Sequence, residues 1–214
     1  MKYAVIFDND GTLIDSSTIH SSIESELFNK YGANISPKEL ELRFSGMNLE
    51  DIFNVINQEY ELTCSCEKFL QEKIQRLQQS ISSIKVNQGV FSLLQILDQK
   101  NVLYAIASGG RPEYMKKVLR ATGLDKKISV TVSAWNVANG KPAPDVFLEA
   151  AKQLEVPPFT CIVVEDGRSG MIGAKNAGMK VIGIGKEHEE FADLIVNSFS
   201  DITIDTFETL AQSK

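Results

Sequence analysis

A doubly wound parallel α/β sheet with a small helical insertion is the fold class this sequence predicts, and three observations carry it. Short apolar runs recur along the chain, helical patterns lie between them, and one long stretch near the start has helical patterns alone. Strands covered on both faces of a parallel sheet read as continuous apolar runs rather than alternating ones. Such runs alternating with helices imply a sheet wrapped on both sides, with its ligand crevice at the carboxyl ends of the strands.

The first run, Tyr3 to Phe7, leads directly into the acidic stretch FDNDGTLIDS. From about Ser17 to Lys85 no strand-like run occurs. Apolar residues there follow helical spacing, as in Ile23, Leu27, Phe28 and Tyr31 or Ile52, Val55 and Ile56, and Ser36-Pro37 reads as a helix start. The end of this stretch, Glu67 to Ser80, is rich in Gln, Lys and Glu and reads as a solvated helix face. Strand-like runs then resume at Val102 to Ala107, Ile128 to Val132, Cys161 to Val164 and Val181 to Ile184. Helical patterns separate them at Val90 to Gln99, Pro112 to Thr122, Pro144 to Leu154 and Gly170 to Ala177, two of them stopped by Gly123 and Gly178. The expected division is therefore a Rossmann-like core of residues 1–16 and 86–214 and a helical domain of residues 17–85.

Composition narrows the function classes. With 214 residues, 43% of them apolar, the chain can bury a sizeable core. A net charge of -6 argues against nucleic acid as a partner, because that polyanion needs a basic face. A small anionic ligand stays possible where a lysine or a metal ion reverses the field locally. Three cysteines, Cys64, Cys66 and Cys161, form no framework and favour a reducing compartment. Cys64 and Cys66 lack the further ligands a metal would need and read as ordinary helix residues. MKYAVIF is too short for a signal-peptide apolar region, and no run approaches the roughly 18 apolar residues of a membrane span. The expectation is a cytoplasmic protein without a membrane partner.

Chemistry gathers at the strand ends. Asp8 and Asp10 end the first strand, and two like charges in a crevice call for a hard divalent cation with oxygen ligands, for which Mg2+ is the natural choice. A second run ends in Ser108-Gly109-Gly110, a hydroxyl followed by backbone N–H groups open to an anion. Lys141 is displayed in the turn GKPAPD, and Glu165-Asp166 supplies a further acidic pair. Each motif alone is an ordinary turn or cap. Four of them in order at four strand ends carry the argument.

The set FDNDGTLIDS, ASGG, GKPAPDVF and VVEDGRSGMIGAKNAGM resembles the haloacid dehalogenase superfamily of phosphotransferases, with the helical insertion where that family has its type 1 cap. The resemblance covers essentially the whole chain. It implies that Asp8 attacks phosphorus to form an aspartyl-phosphate, while Asp10 protonates the leaving alcohol and then deprotonates the hydrolytic water. It implies metal ligation by Asp8, the backbone carbonyl of Asp10, Asp166 and Glu165, and phosphoryl binding by Ser108, the Gly109 N–H and Lys141. Thr12 is expected to close its loop by hydrogen bonds. In the insertion, Arg43, Gly46, Met47 and Asn48 match the family's substrate-facing cap loop, and Arg43 is a candidate for a substrate carboxylate or second phosphate. His20 stands where the similar β-phosphoglucomutases carry a histidine that communicates with the acid/base aspartate. Arg111 follows the phosphate loop and is either a substrate contact or a solvated helix-start residue. Trp135 is expected to be buried, with a place in the pocket wall as the alternative. Gly167 replaces the Ser or Thr common after the acidic pair, so a supporting hydrogen bond is expected to be lost.

The resemblance points to a phosphatase acting on a small phosphorylated metabolite, such as a sugar phosphate, phosphogluconate or phosphoglycolate. A β-phosphoglucomutase-type mutase is the nearest alternative, but those enzymes carry an arginine where this chain has Leu49. The dehalogenases typically lack the aspartate corresponding to Asp10, because halide displacement leaves no alkoxide to protonate. A non-catalytic receiver-like phospho-acceptor is the distant alternative, and its acceptor aspartate follows the acidic metal pair rather than preceding it. Type 1 cap enzymes of this kind are commonly monomeric, which is the expectation here.

Overall fold

Ala4–Phe7 (β1) is a four-residue apolar strand with no exposed residue, and its central place in the sheet explains why it does not alternate. A computed structural model describes residues 3–44, 47, 49–185 and 189–212 of the chain. After β1 come Ile14–Asp15 (β2), the helices Ser17–Lys30 (α1), Pro37–Phe44 (α2), Leu49–Tyr60 (α3) and Cys66–Ser80 (α4), and Lys85–Val86 (β3). There follow Val90–Gln99 (α5), Leu103–Ser108 (β4), Pro112–Thr122 (α6), Val130–Ser133 (β5), Asp145–Gln153 (α7), Cys161–Glu165 (β6), Arg168–Asn176 (α8) and Lys180–Ile184 (β7). Leu194–Val196 (β8) and Ile204–Gln212 (α9) complete the described elements.

The chain divides into two compact units, one of Met1–Asp15 with Lys85–Lys214 and the other of Ser16–Ile84. In the first, six parallel strands lie in the order β5-β4-β1-β6-β7-β8. The chain winds outward from β1 through β4 to β5, then returns to β6 on the other side of β1. That reversal places the crevice at the carboxyl ends of β1, β4 and β6. One face of the sheet, with Ala4, Ile6, Ala105 and Val163, packs on Phe147 and Ala150 of α7 and on Met171 and Ala174 of α8. On the other face Phe7 meets Phe199 at 6.2 Å between ring centroids, and Tyr3 stacks on Phe207 of α9. β2 pairs antiparallel with β3, so the chain leaves this unit and re-enters it side by side.

The second unit is four helices around an aromatic centre. Phe69 of α4 is fully buried, with its ring centroid 4.4 Å from that of Phe28 and 5.4 Å from that of Phe53. Ion pairs Lys30–Glu72, Lys73–Glu24 and Arg76–Glu26 join α1 to α4 around this centre. No helix among the described residues is long and apolar enough to cross a membrane.

Several boundaries differ from the sequence expectation. β5 begins at Val130 rather than Ile128, because Ile128 still bonds back to Leu124 in the preceding turn. β8 and α9 were not foreseen, although Ile204, Phe207 and Leu210 of α9 follow helical spacing. β8 is only three residues long at the sheet edge, where pairing to β7 rather than intrinsic preference sets the strand.

Candidate active site

The site grows from strand ends. β1 delivers Asp8, β4 ends on Ser108 and β6 ends on Glu165 with Asp166 next, so parallel register brings them to one rim. Carboxylate oxygens of Asp8, Glu165 and Asp166 lie within 4.8 Å of one another. Lys141 enters from the turn before α7, with its ammonium 2.5 Å from Asp8 Oδ1 and 2.7 Å from Glu165 Oε1. Both Asp8 and Glu165 are buried, at 6% and 3% exposed. Three carboxylates against one ammonium leave two negative charges uncompensated, a balance that suits one hard divalent cation. Among the described residues, this is where His, Cys, Asp or Glu side chains cluster closely enough to hold a metal.

The electrostatics follow. Burial, and then the neighbouring Glu165 charge, pushes the Asp8 carboxyl well above its usual range, against the pull of Lys141. Asp166 is pushed up to about 7 by burial and by Glu165, while the Thr12 hydrogen bond opposes the rise. Burial would lower the pKa of Lys141, but Asp8 and Glu165 beside it more than reverse that and hold the ammonium charged.

Close packing fixes the acidic pair. Thr12 Oγ1 donates to Asp166 Oδ1 at 2.7 Å. Its hydroxyl thus supports the acidic pair from across the crevice rather than simply closing its own loop. That loop is closed by Asn87, whose Nδ2 donates to the carbonyls of Gly11 and Thr12. Gly11 has φ +88°, and a Cβ there would sit 2.1 Å from Asp166 Oδ2. A Cβ on Gly170 of α8 would sit 1.5 Å from Glu165 Oε1. Glycine at both places lets the backbone approach the carboxylates. The Gly167 N–H donates to Glu165 Oε2 at 2.8 Å.

Asp10 stands opposite. Its Oδ2 accepts from Asn9 Nδ2 at 3.1 Å, and its Oδ1 accepts from the hydroxyl of Tyr114 on α6 at 3.4 Å. Burial and the Asp10 charge raise the Tyr114 pKa, so the phenol stays protonated and remains a donor. A Cβ placed on Gly110 would lie 3.2 Å from Ser108 Oγ and 3.5 Å from Asp10 Oδ2, so these two groups face the same small space. Ser108 Oγ also accepts from the Gly110 N–H at 2.9 Å. A cavity of about 500 Å³ opens beside this rim, lined by Gly109, Trp135, Gly140, Lys141 and Ser169 among others.

The structure therefore brings together Asp8, Lys141, Glu165 and Asp166, sets Asp10 beside Ser108, and puts Gly109 on the cavity wall. His20, half-buried on α1, and Arg43 on α2 belong to the helical unit. Arg43 is ion-paired to Glu39 and Glu59, and those two carboxylates raise its pKa further. Gly46 and Asn48 lie outside the described residues. Trp135 corrects the expectation of burial: it is 59% exposed on the cavity wall, because the short turn Ala134–Asn136 carries it off the end of β5. Tyr114, Asn87 and Ser133 were not foreseen, and a period-3.6 count on α6 gives Tyr114 no distinguishing signal.

The profile of haloacid dehalogenase-like hydrolases matches residues 5–184. The chain belongs to this family. A bifunctional riboflavin kinase/FMN phosphatase of Arabidopsis thaliana is 32% identical over 96% of this hydrolase, which spans 55% of that longer protein. A β-phosphoglucomutase of Bacillus subtilis is 29% identical over 94% of this chain and 92% of its own. A phosphorylated carbohydrates phosphatase of Thermotoga maritima is 29% identical over 84% of this chain and 83% of its own. A crystal structure of a family IA, variant 3 haloacid dehalogenase hydrolase from Entamoeba histolytica superposes with a TM-score of 0.85. It is 28% identical and covers all of both chains.

Proposed function

We propose that this hydrolase is a Mg2+-dependent phosphoric monoester phosphatase that acts on a small phosphorylated metabolite of the sugar phosphate, phosphogluconate or phosphoglycolate type. The observation that carries the proposal is the cluster of Asp8, Glu165 and Asp166 around Lys141 at the carboxyl ends of β1 and β6. The phosphatases among the relatives support the reaction class.

On this reading Asp8 attacks phosphorus through a carboxylate oxygen as the P–O bond to the organic group breaks. Asp10 passes a proton to the departing alkoxide. The phosphoryl group is then an acyl phosphate on Asp8, and Asp10, now ionised, takes a proton from the incoming water. Water oxygen displaces the Asp8 carboxylate, releasing inorganic phosphate and restoring both acids. Ser108, the Gly109 N–H and Lys141 hold the phosphoryl oxygens throughout. Asp8, Asp166, Glu165 and the Asp10 carbonyl would hold Mg2+. When bound, Mg2+ supplies positive charge where phosphoryl oxygens meet the acids. Residues 17–85 would serve as the cap that selects the substrate.

The test is a panel of phosphate monoesters assayed with Mg2+ and with chelator, alongside Asp8→Asn. Phosphate release that requires Mg2+ and disappears in the variant is expected, and normal release by Asp8→Asn would overturn the nucleophile. The β-phosphoglucomutase relative favours one other reading, isomerisation of β-glucose 1-phosphate. Leu49 in place of the mutase arginine speaks against it. Isomerisation outrunning phosphate release in the presence of trace bisphosphate would decide for the mutase.

A further inference from the structure

The segment that presents Lys141 hangs between two anchored ends. At its start Ser133, 3% exposed at the end of β5, donates its hydroxyl to the Gly110 carbonyl at 2.6 Å and accepts the Trp135 N–H at 3.2 Å. At its far end Asp145, the first residue of α7, accepts the Asn139 backbone N–H and Asn139 Nδ2 on one oxygen, at 3.2 and 3.1 Å. Between them the Ala143 N–H donates to the Gly140 carbonyl at 2.9 Å, and Asn176 Nδ2 of α8 donates to the Pro142 carbonyl at 3.2 Å. Asn139 therefore closes the base of the turn, two positions before the lysine that meets Asp8 and Glu165.

Asn139 is also the asparagine most open to chemistry. Glycine follows it, and Asn-Gly occurs once in the chain. The amide nitrogen of the next residue closes a five-membered ring on an asparagine side chain most readily when that residue has no Cβ to crowd the approach. Both Asn139 and Gly140 are exposed, and the Gly140 N–H makes no hydrogen bond among the described residues. A Cβ on Gly140 would come no closer than 3.7 Å to a described neighbour, the Ala134 Cβ, so the space around this nitrogen is open. Comparable dipeptides are guarded. In Asp10-Gly11 the glycine N–H is donated to the Ile14 carbonyl at 2.9 Å, and in Asp166-Gly167 to Glu165 Oε2 at 2.8 Å. After Asn197, the Ser198 N–H is donated to Asp201 Oδ2 at 3.0 Å. The fold thus withholds the attacking nitrogen beside the crevice acids and leaves it available at Asn139.

We propose that Asn139-Gly140 is a site of spontaneous deamidation, with solvent water as the co-reactant, and that the change releases the turn holding Lys141. The Gly140 nitrogen gives up its proton and bonds to Asn139 Cγ. The Cγ–Nδ2 bond breaks, and ammonia leaves with the proton. Water then opens the resulting succinimide at either carbonyl, returning a hydrogen to the Gly140 nitrogen and leaving aspartate or isoaspartate. No electrons are gained or lost. Either product sets a carboxylate where Nδ2 met Asp145 Oδ1, so repulsion replaces a hydrogen bond at the base of the turn. Isoaspartate also lengthens the main chain by a methylene just before Lys141. The covalent step stands on its own, and its effect on catalysis rests on the phosphatase reading above.

Peptide mapping by mass spectrometry, after incubation at neutral and at mildly alkaline pH, reads the site directly. The Asn139 peptide is expected to gain the amide-to-acid mass increment ahead of every other asparagine, faster at the higher pH, and to become a substrate for an isoaspartyl methyltransferase. Asn139→Gln, whose carboxamide would need a larger ring, should block the change. In the modified enzyme kcat/KM on a monoester should fall about tenfold, the scale of a displaced phosphoryl-binding group, while Asn139→Gln aged alongside keeps its starting value. Asn139→Asp should start part-way down, because it has the charge without the longer backbone. An Asn139 that stays intact in the folded protein while the same peptide free in solution deamidates would overturn the inference, as would full modification with no loss of kcat/KM. Modification mapped in a protein that hydrolyses no monoester would sink the phosphatase and leave the site standing. Monoester hydrolysis by a protein whose Asn139 never changes would do the reverse.

Discussion

Single residues at the crevice divide into those that carry charge and those that aim it. Tyr114 belongs to the second kind: its phenol reaches Asp10 Oδ1 at 3.4 Å and is kept protonated by burial and by that same carboxylate. If Asp10 delivers the proton to a departing alkoxide, loss of this contact should matter most when the leaving group is a poor one. Tyr114→Phe is expected to slow hydrolysis of alkyl phosphates roughly tenfold, the scale of a hydrogen bond to a charged group, while barely slowing p-nitrophenyl phosphate. Equal effects on both would show that Tyr114 only supports the fold. Asp8, Ser108, Glu165 and Asp166 were legible because each sits in a short motif at the end of an apolar run, and Lys141 because the turn GKPAPD displays it before a helix. Tyr114 and Ser133 were not, since their importance depends on where α6 and β5 point rather than on local spacing. Trp135 misled for a physical reason: aromatic bulk usually pays for itself by burial, and here a three-residue turn holds it out over the cavity.

At the level of elements, strands and helices of the core were readable because parallel strands need unbroken apolar runs and their helices end at glycine. β8 escaped because three edge residues are too few to show a pattern. In the helical unit, the element most dependent on packing is α4, a largely polar helix that buries Phe69 and Leu77. Phe69→Ala removes a fully buried ring from contact with Phe28 and Phe53 and should cost roughly 3–5 kcal/mol in urea denaturation. Arg76→Ala, which removes the exposed pair with Glu26, should change stability by less than about 1 kcal/mol. Comparable losses in the two variants would mean that surface charge rather than the aromatic centre holds α4 in place.

For the whole molecule, the decisive quantity is charge gathered in one place. Burial and the Glu165 charge push Asp166 up to about 7 and Asp8 well above its usual range, so without a metal the folded state binds protons more tightly than the unfolded chain. Stability from these groups is therefore present at low pH and is lost as pH rises through their folded pKa values. The carboxylates held low on the surface, Asp98, Glu59 and Glu72, ionise below that window and do not mask the trend. With chelator present, the melting temperature is expected to fall between about pH 5 and about pH 8, and Mg2+ should raise it more at the higher pH. A Mg2+ effect that is the same at both values would argue that the cation binds elsewhere.

The central position of β1 has a consequence for biosynthesis. Ala4 pairs with Leu103 on one side and with Cys161 on the other. A ribosome releasing this polypeptide thus exposes the strand that leads to Asp8 long before either neighbour exists. Both flanks close only after Cys161–Glu165 has emerged, so nascent chains ending earlier carry an unpaired hydrophobic ribbon, the form most in need of a chaperone.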